Sequence, residues 1–332
     1  MPPRRNIVFG LFAFFSCWAL GQTASLGQNL DAIQTSLPGQ IIRSLTVHPS
    51  DPDRILVGLK GRAPGSGVVM ESRDAGGTWL TLNADAPVNP VASDVQAVAY
   101  GPAGVVLAGT WKQGLYRSSD DGVAFERLTG FPSQDIRDIK AVASDPSHLF
   151  AVTGGHGVFR SEDGGQSWQA SGADGTFFWS VTTSPDSRQV YAASPTKIIL
   201  ASVDGGGNWQ RIEVGAKAYA VAIKPGDPDA LALATAAGLL LSNDGGATWS
   251  PASGAPAGNF SSLLFPAALP GILILGDWAA GVYLLDLESG KGRWLLEGVP
   301  VVHLAESNAR LLVGTWGKGL LSMEMKPAGT AE

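Results

Sequence analysis

Two arginines, four tryptophans and a tyrosine recur at related places in this chain, and they are the residues best suited to hold a ligand. When successive apolar stretches are aligned on the proline or equivalent turn residue that ends them, Arg43, Gln96, Arg137, Trp179, Tyr219 and Phe260 occupy one slot. One side of that set is cationic and polar, the other aromatic. Arg43 and Arg137 could clamp a carboxylate or phosphate with paired hydrogen bonds; the competing reading pairs each with a local acid such as Asp138. A second slot lies in the loops Thr110-Trp111-Lys112-Gln113-Gly114, Gly154-Gly155-His156-Gly157, Asp277-Trp278-Ala279-Ala280-Gly281 and Thr315-Trp316-Gly317-Lys318-Gly319. Trp111, Trp278 and Trp316, with Lys112 and Lys318, would form a rim that stacks on a sugar ring or an apolar peptide side chain. The bland alternative is packing between structural units. Tryptophan is costly to leave exposed on a loop, so a solvent-facing cluster would mean a partner.

Catalysis is less well supported. A glycosidase needs two carboxylates with separated roles, and Asp94, Asp135, Asp138, Glu213, Asp277 and Glu297 are the acids expected on the same face. They sit in no recognisable motif. His48, His148, His156 and His303 lack ligand spacing, so neither a metal nor a cofactor is expected.

These side chains need a scaffold that repeats, and the sequence contains one. Ser161-Glu162-Asp163-Gly164-Gly165-Gln166-Ser167-Trp168 follows the pattern Ser-x-Asp-x-Gly-x-x-Trp. The pattern returns around Asp74, Asp204 and Asp244, and around Asp120 with Phe125 in the aromatic place. Successive aspartates are 46, 43, 41 and 40 residues apart. A short carboxylate followed by glycine shapes a turn, because the acid accepts nearby N–H groups and glycine takes a positive φ. The aromatic residue then pins the next strand. Asp74, Asp120, Asp163, Asp204 and Asp244 are therefore read as structural. A period near 40 with four short strands per unit predicts an all-β fold, a β-propeller of four-stranded antiparallel blades. A sixth unit, Phe260 to Leu296, keeps Asp286, Gly290 and Trp294. A seventh, Val299 to Met325, has three strand candidates, and Leu26 to Leu37 is the natural donor of its fourth. Seven blades are expected, with six or eight left open.

The recurrent corners closely resemble the Asp-box, or BNR-repeat, motif of sialidases, sortilin-type receptors, xyloglucan-active glycosidases and photosystem II assembly propellers. The resemblance covers nearly all of residues 22–332 and implies the propeller fold. It implies no single activity, since the box forms a turn away from the catalytic centre in the enzymes that carry it. Three readings follow: a non-catalytic propeller binding a protein, peptide or glycan on its channel face; a glycoside hydrolase of sialidase-like or related type; and a photosystem-assembly-factor-like propeller. Against a sialidase, only Arg43 and Arg137 fall in the channel slot, and the Phe-Arg-Ile-Pro signature is absent.

The start of the chain reads as a targeting segment. Arg4 and Arg5 precede an apolar run from Ile7 to Leu20, and Ala19-Leu20-Gly21 offers small residues for cleavage before Gln22. Residues 1–21 are thus read as a signal peptide, for export to the periplasm or medium of a bacterium. A weak lipobox at Phe14 to Cys17 is the minority alternative and would tether the protein to a membrane. Cys17 is the single cysteine, so no disulfide is expected in residues 22–332. Net charge is −6, or −8 without Arg4 and Arg5, which argues against a nucleic-acid partner.

Overall fold

Strands buried on both faces read as unbroken apolar runs, and the second strand of each repeat is such a run: all the side chains of Val106–Thr110 and Ile272–Asp277 are buried. In the computed structural model, which describes residues 33–61, 68–83 and 94–325, these runs become the centres of seven four-stranded antiparallel sheets. The sheets are arranged as the blades of a propeller. The innermost strands are Ile42–His48, Val95–Tyr100, Ile136–Val142, Ser180–Thr183, Ala218–Lys224, Phe260–Leu264 and Val301–Ser307, for blades 1 to 7. Outer strands are short and wet; Leu80–Thr81 has two residues, both exposed. Blade 7 takes its outer strand, Gln34–Ser36, from the other end of the chain, in register Gln34 to Ser322 and Ser36 to Leu320. The head of the chain thus closes the ring as expected. The signal segment, Cys17 and the first residues of the donor stretch lie outside the described residues.

The hydrophobic core is divided among the blade interfaces. Leu56, Val69 and Leu82 of blade 1, for example, pack on Val95, Val98, Tyr100 and Val106 of blade 2. The boxes sit between the third and fourth strands. In each of the five, the serine hydroxyl donates to the aspartate at 2.6–2.9 Å and accepts the glycine N–H at 2.8–2.9 Å. The aspartate accepts the N–H four residues on, as Thr78 at 2.7 Å. The indoles of Trp79, Trp168 and Trp249 donate to the carbonyl of the box glycine at 3.2, 3.0 and 2.9 Å. Trp168 is half-buried and meets the Phe131 ring edge-on at 5.5 Å.

The boxes also do something their local pattern does not reveal: they join neighbouring blades. A Cβ at Gly165 (φ 79°) would lie 2.8 Å from Leu107 of the preceding blade. Arg117 Nε, Arg160 Nη1 and the Tyr191 hydroxyl each donate to a box carbonyl of the next blade, at 3.0, 3.1 and 3.0 Å. Between blades 1 and 2 the link is ionic, Arg54 Nη2 donating to Asp121 Oδ1 of blade 2 at 2.9 Å. Glu71, fully buried, accepts from Arg54 at 2.6 and 2.9 Å, from Arg73 at 2.7 Å and from the Tyr100 hydroxyl at 3.1 Å.

Removing a partner from a buried, satisfied ion network strands charge in low dielectric. Glu71→Ala should therefore cost about 3–5 kcal/mol in urea denaturation, and a loss below about 1 kcal/mol would show the network to be dispensable. A second expectation concerns acid. Hydrogen bonds from Asn208 and Ser202 hold Asp204 at about 2, and those from Thr248 and Ser242 do the same for Asp244. Because these folded values lie below the unfolded value of about 3.9, their stabilisation is present above about pH 4 and is lost as pH falls toward 2. The melting temperature should drop across that window, and Asp204→Asn with Asp244→Asn should flatten part of the fall. An unchanged slope would mean that the corners do not titrate with folding.

Candidate functional site at the channel mouth

One irregularity builds the site. In six blades the register between the first and second strands skips one residue near the start of the inner strand. The skipped residues are Arg43, Gln96, Arg137, Tyr219, Ser261 and Val302. A bulge of this kind re-aims a side chain, and here the residue before each bulge points into the core while the bulged one turns to the channel. Trp179 has the corresponding place in blade 4, just before Ser180–Thr183. Phe260, expected in this ring, is instead fully buried between blades. The inner strand of blade 6 reaches Pro266 one residue sooner than its counterparts reach their prolines, so Ser261 takes the slot.

These residues surround a cavity of about 190 Å³ lined by Arg43, Gln96, Arg137, Trp179, Tyr219 and Trp278, with Asp138, Ser180, Ser261, Val302 and His303 completing the wall. Following the ring, Arg43, Gln96 and Arg137 from blades 1 to 3 form a polar arc. Trp179, Tyr219 and Trp278 from blades 4 to 6 form an aromatic one. Below it a second chamber of about 410 Å³ continues along the channel and shares Asp138, Ser180, Ser261 and His303.

The two arginines differ in their partners. Arg137 Nη2 donates to Asp135 Oδ2 at 2.6 Å, and its guanidinium lies over Phe177 and Trp179 at 4.8 and 5.0 Å. The pairing with a local acid is therefore real for Arg137, but the acid is Asp135. Asp138 turns away, accepting from Ile139 and Val181 N–H at 2.9 and 3.1 Å. Burial pushes Asp138 above the ordinary carboxylate range, with Lys140 and the two N–H groups working against it. Arg43 donates to Gln96 Oε1 at 2.7 Å and lies 5.2 Å from the Trp316 ring. Among the described residues no carboxylate is within salt-bridge distance of Arg43. Burial holds its guanidinium below the usual value; Asp94 opposes this and Arg137 adds to it. His303 keeps part of its surface open to the channel, yet the channel there is walled by protein. Burial, then Lys140 and Arg43, bring it down to about 3, so it carries no charge near neutral pH.

The loop tryptophans divide. Trp111 and Trp278 are 41% and 42% exposed, and Trp179 is 39% exposed. Trp316 is half-buried, edge-on to Trp278 at 5.6 Å and beneath Lys60 at 4.7 Å. It is a packing residue that supports the rim. Trp111 lies outside the cavity with Lys112 4.3 Å over its ring, and exposed Lys318 is also outside it. The other expected acids are dispersed. Asp277 is buried, capping Asn259, Ala279 and Ala280 N–H; Glu213 pairs with Arg211, and Glu297 is exposed on an outer strand. Asp138 is the one carboxylate among the residues lining the mouth. Ser261 and Val302 were missed because an alignment on prolines hides the bulge; alignment on the buried residue before it would have found both, while His303, paired with Gly314 just after the bulge, reaches the channel without such a signal.

A model of the photosynthesis system II assembly factor YCF48 family matches residues 131–264, less than half of the chain. No curated protein sequence matches. A solved structure of YCF48 bound to D1 peptide superposes with a TM-score of 0.66 at 15% identity, over 92% of this chain and 99% of that one. YCF48 from Cyanidioschyzon merolae gives 0.65 at 15%, over 90% and 100%. A GH74 xyloglucanase from Xanthomonas campestris gives 0.62 at 15%, over 85% of this chain and 59% of its own. At such identities the likeness is one of fold.

The division among the tryptophans has a measurable consequence. Trp316→Ala should cost about 2 kcal/mol in chemical denaturation, and Trp111→Ala less than about 0.5 kcal/mol. Equal losses would mean that both are packing residues.

Proposed function

We propose that this chain, a seven-bladed β-propeller of the Asp-box (BNR-repeat) superfamily, is a binding protein that takes a carboxylate-bearing peptide segment into its channel mouth. The observation that carries this reading is Arg43: a guanidinium desolvated by burial, bonded to the neutral Gln96 amide and in direct contact with no acid, so that Asp94 attracts it only from a distance while Arg137 repels it. A buried charge without a counter-charge is costly, and an anionic ligand supplies the missing partner. The opposed arc of Trp179, Tyr219 and Trp278 fits an apolar side chain next to that carboxylate. The solved YCF48 structure carrying a D1 peptide supports a peptide as the ligand class, since its fold matches this chain along almost its whole length. A glycosidase reading gains no support from a mouth lined by one carboxylate that is capped by backbone N–H groups. The chain acts by binding rather than by catalysis, and residues 1–21 direct its export.

The test uses a fluorescein-labelled Gly-Gly-Gly-Phe peptide with a free carboxylate and, as control, its terminal amide. Wild-type protein should prefer the acid form. Arg43→Gln should weaken binding by about 30-fold or more. The melting temperature should hold or rise, because an unpaired buried charge has gone. Equal binding of acid and amide by the wild type would overturn the reading.

A further inference from the structure

Blade 3 carries glycine at a loop position where three other blades carry tryptophan. In blades 2, 6 and 7 the first loop residue after the second strand is Trp111, Trp278 or Trp316. Its N–H donates to the carbonyl of Asp94, Asn259 or Pro300, the residue just before the inner strand, at 3.0, 3.2 and 2.9 Å. Blade 3 makes the same bond, Gly154 to Asp135 at 2.9 Å, but glycine stands where the tryptophan would be. Gly154 does not need a left-handed backbone. What it provides is space: a Cβ there would lie 2.1 Å from Asp135 Oδ2. The absent side chain is the reason Asp135 can lay its carboxylate on Arg137.

We infer that Asp135 is an intramolecular stand-in for the ligand's carboxylate, occupying the Arg137 half of the anion site and thereby setting how tightly acidic peptides bind. The inference rests on the reading of the mouth given above. Its pairing with Arg137 is incomplete. One guanidinium nitrogen is engaged, while Arg137 Nε and Asp135 Oδ1 are both buried with no hydrogen-bond partner. Such a half-satisfied pair is one that a better-placed carboxylate can displace. The displaced group has somewhere to go. Asp135 also lines an open groove of about 460 Å³ with Gln134, Lys112 and His156. An entering carboxylate takes over the Arg137 fork from Asp135, which turns toward Lys112 and His156. A negative charge kept at the rim also disfavours a ligand with a second acid close to the first.

The experiment compares wild type, Arg43→Gln, Asp135→Asn and Gly154→Ala by fluorescence anisotropy with the same acid and amide peptides, each protein checked by its melting temperature. Asp135→Asn removes the competing charge. Gly154→Ala keeps that charge but pushes it off Arg137. Both should bind the acid peptide about five- to tenfold tighter than wild type, and the preference for acid over amide should widen. If both bind equally or more weakly while Arg43→Gln abolishes binding, the mouth is still the peptide site and Asp135 only positions Arg137, which overturns the inference. If no protein in the set tells acid from amide, the mouth reading falls and the inference with it.

Discussion

The inner strand of each blade borders a channel on one edge, so no backbone ladder joins one sheet to the next. Seven sheets are therefore held in a ring mainly through side chains, with only isolated backbone bonds between blades, such as Asn83 N–H to Gly122 at 2.8 Å and Ala218 N–H to Ser194 at 3.0 Å, and much of the molecule answers to that constraint. Apolar clusters fill every interface. Polar links supplement them near the axis, where Asp138 accepts Val181 N–H and Ser262 accepts Leu304 N–H, at 3.1 and 3.0 Å. Toward the opposite face, box carbonyls accept from the preceding blade, and Glu71 gathers Arg54, Arg73 and Tyr100. The borrowed strand Gln34–Ser36 belongs to the same solution, since it covers the outer edge of the last sheet with the start of the chain.

The free edge that creates this difficulty also creates the site. An inner strand with no neighbour on its channel side tolerates an extra residue, and the bulges place one side chain from each of six blades around the mouth, with Trp179 supplying the seventh. The scaffold can then vary those residues independently of the core, because the buried residue before each bulge carries the packing. Arg43 and Arg137 against Trp179 and Tyr219 are a product of that freedom. The result is an amphipathic ring with cations facing aromatic surface, and an arginine held partly out of water without an acid beside it. The counterweight is local: Asp135 neutralises one arginine in space opened by Gly154, while Arg43 is left to a neutral amide.

The architecture was largely legible in the amino-acid order. Box spacing sets the number of corners, and the chemistry of serine, aspartate and glycine is short-range, so each corner forms from residues within eight positions of one another. The missing fourth strand of the last unit followed from counting, and the tertiary structure supplied it where expected. Most of the channel ring was legible as well, because Arg43, Gln96, Trp179 and Tyr219 all stand at the same interval before a proline, Pro49, Pro102, Pro185 and Pro225. Phe260 was misplaced where that interval shortens by one residue, and a one-residue change in a strand exchanges an inward for an outward side chain.

By itself, then, the order of residues determined the repeat, the turns and which strands pair, since these depend on contacts between neighbours in the chain. Only the tertiary structure decided which charges meet. Arg137 chose Asp135 over Asp138, Glu71 became the centre of a network spanning two blades, and Trp316 became support while Trp278 stayed exposed. Those outcomes depend on how close one blade approaches the next and on how much water remains between them. Both are properties of the closed ring rather than of any single unit.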